Sequence, residues 1–129
     1  MTHPSTDPEP QVYAFVQPDA LDALNAAPGH HSLLFENEWV RVLDTCIPPG
    51  EQTPIHTHCW PSQLYVLSWS DFVRRDAAGD TILDSRLVPQ LANPPTTLWS
   101  DPLPAHSLEN VGSNDLRVIG VELKHVQTT

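Results

Sequence analysis

The sequence predicts an all-β chain: an antiparallel sandwich or barrel preceded by one short helix. Three observations predict it. Fourteen prolines and five glycines in 129 residues break the chain into short segments, which suits strands better than a helix bundle. From residue 31 onward, roughly eight or nine β-prone runs alternate with turn-forming clusters, without an internal repeat. The length and an apolar share of 40% fit one domain with one modest core. Closing such strands into packed sheets or a barrel is the usual way to protect their edges.

Residues 1–11, "MTHPSTDPEPQ", are polar and carry three prolines, as expected of a loose arm. "PDALDALNAAPG" opens on Pro-Asp, places Leu21 and Leu24 at helical spacing and stops at Pro28-Gly29, which predicts the helix. Residues 1–30 are therefore read as arm and helix, and 31–129 as the β domain. "SLLFE" and "WVRVLDTCI" are strands, with Cys46 expected in the core. "PPGE" is a turn, and "QTPIHTH" is extended, with Pro54 marking a strand end or an edge. "SQLYVLSWSDFVRRD" is a long β-prone run expected to bend near Ser70. "AAGD" is a turn and "TILDSRLV" a strand. The proline-rich segment from Pro89 to Ala105 is loop with a short strand near Leu98. "HSLENV" and "LRVIGVELKHV" form a final pair joined by the hairpin composition "GSND".

Six Lys+Arg against sixteen Asp+Glu leave a formal charge of −10. Nucleic acid and anionic membrane both need a basic face, so neither is expected as a partner. No apolar run approaches the roughly 18 residues of a membrane span, and the N-terminus lacks a signal-peptide pattern. Two cysteines suggest no disulfide framework. The expectation is a cytoplasmic protein.

Chemistry concentrates in the seven histidines. His3, His30, His31 and His125 fall in the arm, at a turn and at a strand end, where solvated surface is the expected setting. His56 and His58 differ. On a strand, residues i and i+2 face the same way, about 7 Å apart along the chain, close enough for two imidazoles to close on one ion. Imidazole is the commonest ligand for divalent transition metals. Gly50 stands six residues before His56, and a third histidine, His106, opens a strand downstream in "PLPAHSLENVG".

With these residues in place the chain resembles a small single-domain cupin. "GEQTPIHTH" matches the opening of the first cupin motif: a glycine, five residues, then H-x-H. His106 and Asn110, after Pro102 and Pro104, match the second. The resemblance covers roughly residues 31–125. Within the family, "FENEWVRVLDTCIPPGE" and "SLENVGSNDLRVIGVELK" are similar to the small proteins grouped with the β-alanine degradation protein BauB. It implies a jelly-roll barrel, often dimeric, with a pocket in its mouth lined by His56, His58 and His106. It also implies a divalent transition metal (iron, zinc, nickel or manganese) and an oxygenase, isomerase or lyase acting on a small organic acid or related metabolite. Asn110 would serve at most a supporting role.

One departure stands out. The glutamate expected three or four residues after His58 is replaced by Ser62 or Gln63. A glutamine carbonyl is a weak neutral ligand and serine rarely one. Two readings stay open: a three-histidine metal site, with Gln63 as a candidate fourth ligand, and a polar pocket without metal in a non-enzymatic binding protein or accessory subunit. Glu109 is expected outside the pocket, and at most one of Arg74 and Arg75 inside it, where it would hold a substrate carboxylate. Trp60, Tyr65, Trp69 and Trp99 are candidates to line it. Cys59 is either a small buried residue or a reactive thiol.

Overall fold

The computed structural model describes residues 12–128. The expected arm at 1–11, and His3 with it, lie outside them. Eleven strands and one helical turn follow in order: β1 (Val12–Phe15), α1 (Ala23–Ala26), β2 (His31–Glu36), β3 (Val40–Ile47), β4 (His56–His58), β5 (Ser62–Ser68), β6 (Phe72–Asp76), β7 (Thr81–Asp84), β8 (Thr97–Ser100), β9 (Leu103–Asn110), β10 (Leu116–Leu123) and β11 (His125–Thr128). One sheet has the order β2-β3-β10-β5-β8, a second β4-β9-β6-β7, and β1 with β11 forms a ribbon. Every pairing between named strands is antiparallel. The two large sheets face each other as in a jelly roll. Their edges are not hydrogen-bonded into a closed barrel, which corrects the barrel expectation.

Alternation along β3 and β10 sets what points inward. Leu43 and Ile47 are buried, and their neighbours across the ladder are Gly120 and Leu116. Gly120 leaves room for Leu64, since a Cβ there would lie 3.2 Å from one of its methyls, a tight contact. Ile47, Phe72 and Leu116 form the buried apolar cluster, with Trp69, Leu83, Leu91 and Leu108 packed against it. Arg41, inward at the start of β3, lies opposite Glu122 on β10.

The structure adjusts several elements. The long run after Pro61 does break at 69–71, sending β5 and β6 into different sheets. The helix is a single turn: Asp22 caps it by accepting from the Leu24 N–H at 3.2 Å, and Ala27, with ψ of 52°, leaves the helical conformation before Pro28. "TILDSRLV" is strand only to Asp84, whose carboxylate accepts from the Arg86 N–H at 3.0 Å and starts a 3-10 turn, Ser85–Leu87. Cys46 is half-buried on the outer side opposite Arg117, not in the core.

The two sequence motifs meet through their backbones. Gly50, with φ of +80°, occupies the left-handed region that glycine adopts freely. Its N–H donates to Asn110 O at 3.0 Å, and the Asn110 N–H donates to Glu51 O at 2.9 Å. This clamp sets the approach to β4 beside β9. Among the described residues, no helix is long and apolar enough to cross a membrane.

Candidate metal centre

Four histidines converge at the seam where edge strand β2 of one sheet meets edge strand β4 of the other. His56 and His106 stand directly opposite on β4 and β9, with ring centroids 4.4 Å apart. His58 lies 5.0 Å from His56 and 5.7 Å from His106. His31, at the start of β2, comes within 4.7 Å of His56 and 5.4 Å of His58. The ligand atoms of His31, His56 and His58 all lie within 4.8 Å of one another. Two nitrogens on opposite sides of an ion bound at about 2.1 Å are about 4.2 Å apart, so a small inward movement completes the approach.

Each ring is anchored at Nδ1. His31 bonds to Ala27 O at 2.9 Å, His56 to Pro54 O at 2.8 Å and His106 to Pro104 O at 2.8 Å. His58 makes a longer contact, 3.4 Å, with Glu122 Oε2. Carbonyls and carboxylates only accept, so each Nδ1 carries a proton, and in a neutral ring Nε2 then keeps the lone pair. This is the arrangement found around metal-binding histidines, where an outer acceptor fixes tautomer and ring orientation. Burial drives His31 down to about 3, His56 to about 4 and His106 to about 3, against partial opposition from the carbonyl bonds, while the neighbouring imidazoles add to the lowering. These rings are neutral at physiological pH, the form that binds metal. The donor set thus fits a borderline transition metal.

Behind His58 lies a buried charge network. Arg41 donates to Asp22 through both terminal nitrogens at 2.9 and 2.8 Å, and to Glu122 through Nε at 2.6 Å. Burial pushes Asp22 up and Arg41 down, but their mutual bonds prevail, holding the carboxyl below and the guanidinium above its ordinary value. Glu122 also occupies a telling place: on β10 it stands directly opposite Ser62 on β5. Ser62 lines the cavity at the position where the motif glutamate was expected. The nearest carboxylate therefore arrives from the adjacent strand, with His58 between it and the cavity.

Other expectations are redistributed. Gln63 faces the outer side of its sheet, donating to Leu98 O at 3.1 Å, and does not reach the histidines. Tyr65 and Trp99 share that outer face and are 45% and 54% exposed. Trp60 is buried away from the cavity, its indole N–H on Val16 O and its ring 4.9 Å from the Arg41 guanidinium. Of the two arginines only Arg74 enters, while Arg75 pairs with Glu109 outside at 2.9 Å. Cys59 is pushed up to about 11 by burial and by the Asp22 and Glu122 carboxylates, so it stays a thiol at neutral pH. Asn110 is structural. Its amide donates to Ile47 O and Asn114 O, and accepts from the Ser70 hydroxyl and the Gly112 N–H.

His31 and Glu122 are what sequence reasoning missed. A signal for His31 existed: in a strand beginning there, adjacent His30 and His31 must face opposite ways. His30 indeed turns to Glu51 at 3.0 Å.

Similarity to solved structures supports the architecture. A cupin domain from Bordetella pertussis Tohama I superposes with a TM-score of 0.55 at 15% identity, over 73% of this chain and 91% of that one. An RmlC-like cupin family protein with a double-stranded β-helix fold from Methanocaldococcus jannaschii gives 0.50 at 16% identity, over 92% and 94%. The fold is the cupin double-stranded β-helix. A conserved protein with a double-stranded β-helix domain from Klebsiella pneumoniae shares this cupin-like architecture, with a TM-score of 0.50 at 15% identity over 77% and 83%. No family model and no curated protein matches the sequence.

Proposed function

We propose that this chain is a metal-dependent enzyme of the cupin fold, acting on a small organic acid or related metabolite. His56, His58 and His106 hold a divalent transition metal (iron, zinc, nickel or manganese), and His31 takes the place of the carboxylate missing from the motif. The observation that carries the reading is the convergence of four imidazoles, each anchored at Nδ1 with Nε2 left free.

When bound, such an ion supplies Lewis-acid or redox chemistry suited to an oxygenase, isomerase or lyase. The chain contributes the rest. The Nδ1 anchors fix the rings before metal arrives. Leu64, Leu103, Leu108 and Val118 form the apolar wall of the cavity, which is about 110 Å³. Ser62 and Ser100 also line the cavity, the Ser100 hydroxyl donating to Asp101 O at 3.0 Å. An all-histidine set leaves the full charge of the metal uncompensated at its ligands, which favours an anion as the occupant.

Elemental analysis after equilibration with iron, zinc, nickel and manganese in turn tests the proposal. About one metal per chain is expected, falling below about a tenth in His58→Ala. Less than about a tenth of an equivalent of every metal in the native protein would sink it. Ser62 at the position of the motif glutamate favours a second reading, a non-enzymatic cupin that binds a small molecule. Its mark is a tightly bound acid recovered unchanged from metal-loaded protein.

A further inference from the structure

Arg74 is the one charged side chain lining the histidine cavity, and among the described residues nothing accepts a hydrogen bond from it. It reaches inward from β6, between Leu83 on β7 and Leu108 on β9. Its Nε is buried without a partner, and no carboxylate pairs with it. The Phe72 ring, 6.0 Å from its guanidinium carbon, offsets the charge only weakly, and a bidentate carboxylate is the group whose shape and charge relieve it.

The sign of the local charge points the same way. The chain carries sixteen Asp+Glu against six Lys+Arg, yet none of the fourteen residues lining this cavity is acidic. Glu122, the carboxylate nearest the histidines, is already bonded to Arg41. In a strongly acidic protein, this cavity is lined to accept negative charge.

A second cavity, of about 120 Å³, adjoins the first and shares Thr45, Ile47, Leu64, Arg74, Leu108 and Val118 with it. Its remaining walls are Trp69, Phe72, Leu98 and Leu116, so Arg74 is again the only charge. Arg74 therefore stands where a chamber lined by imidazoles opens into one lined by hydrocarbon.

We propose that Arg74 is the anchor for a small monocarboxylate bearing a short apolar chain or a single ring. The carboxylate forks onto the guanidinium. The apolar body fills the space between Leu64, Leu98 and Leu116, and the carbons nearest the carboxylate face His56 and His106. A dicarboxylate, a sugar or a phosphate would bury a second polar group against leucine and is excluded from this pose. This inference rests on the organic-acid reading above and narrows its substrate class; it does not require the metal.

The test is calorimetric binding of hexanoate, benzoate, succinate, inorganic phosphate and neutral hexanol to native protein and to Arg74→Gln, each metal-free and zinc-loaded. Hexanoate and benzoate are expected to bind native protein and to weaken about tenfold or more in Arg74→Gln, as loss of a charged hydrogen bond predicts. Zinc content should stay at the native level. Equal carboxylate affinity in the variant would overturn the anchor, and succinate or phosphate outcompeting hexanoate would overturn the apolar body. If Arg74→Gln does not fold, the native protein still decides: hexanol binding as tightly as hexanoate rejects the proposal. Carboxylate binding that needs Arg74 in a protein that takes up no metal would leave this subsite standing and remove the metalloenzyme reading.

Discussion

His58 is the only one of the four histidines whose Nδ1 faces a carboxylate rather than a main-chain carbonyl. A carboxylate behind an imidazole raises its basicity and strengthens its bond to a metal. Glu122→Gln keeps the shape and removes the charge, so metal affinity should fall about 10–100-fold while the fold survives. Competition against a chelator of known affinity measures this, and unchanged affinity would relegate Glu122 to a partner of Arg41 alone. At this scale the sequence was legible where a motif is local. His56 and His58 lie on one short strand, and Gly50 precedes them by a fixed count. It was illegible where direction depends on a distant strand. His31 points inward because β2 pairs His31 with Thr45. Ser62 faces the cavity and Gln63 does not because β10 places Glu122 and Val121 opposite them. One residue of register exchanges the two, and no local pattern around Pro61 sets it.

The segment joining β9 to β10 shows how an element can be read from composition while its stability depends on remote contacts. "GSND" announces the turn, but Asn110 holds it by bonding to Ile47, Ser70, Gly112 and Asn114 together. Asn110→Ala orphans Ile47 O and the Ser70 hydroxyl, both in buried surroundings, and should destabilise by about 2–3 kcal/mol in urea unfolding. Gly112→Ala acts on the same corner by sterics. Its Cβ would collide with the Ser70 hydroxyl and stand 2.8 Å from the Asp71 nitrogen, so a loss of at least about 1 kcal/mol is expected. A neutral result for Gly112→Ala would mean that the 69–71 corner yields freely. The short helix gives the converse lesson. Its pattern in "PDALDALNAAPG" predicts one short helix, yet Asp22 is committed to Arg41 and to a bridge with Thr57. Tertiary bonds from β3 and β4 fixed the start of α1 later than propensity would.

Across the whole molecule, burying three neutral histidines between two sheets makes stability depend on pH in a definite direction. An unfolded histidine titrates near its ordinary value of about 6.5, whereas folded His31, His56 and His106 stay neutral down to about 3, 4 and 3. Above pH 6.5 neither state takes up a proton at these positions, and their full contribution is present. As pH falls below that value the unfolded chain gains protons that the folded one refuses, and stability is lost until the folded values are reached. The loss approaches about 1.4 kcal/mol per pH unit for each histidine. Asp22 also has a lowered folded value, below 3.8, so its contribution disappears only at still lower pH and leaves the window between 6.5 and 4 to the histidines. Thermal melts of chelator-treated protein should therefore show a midpoint that falls continuously from pH 6.5 to 4. In His106→Gln the slope should shrink by about a third, since one of three protons is removed from the linkage. A flat profile would show that the folded protein charges these rings, which a cluster of mutually adjacent imidazoles at the seam of two sheets does not allow.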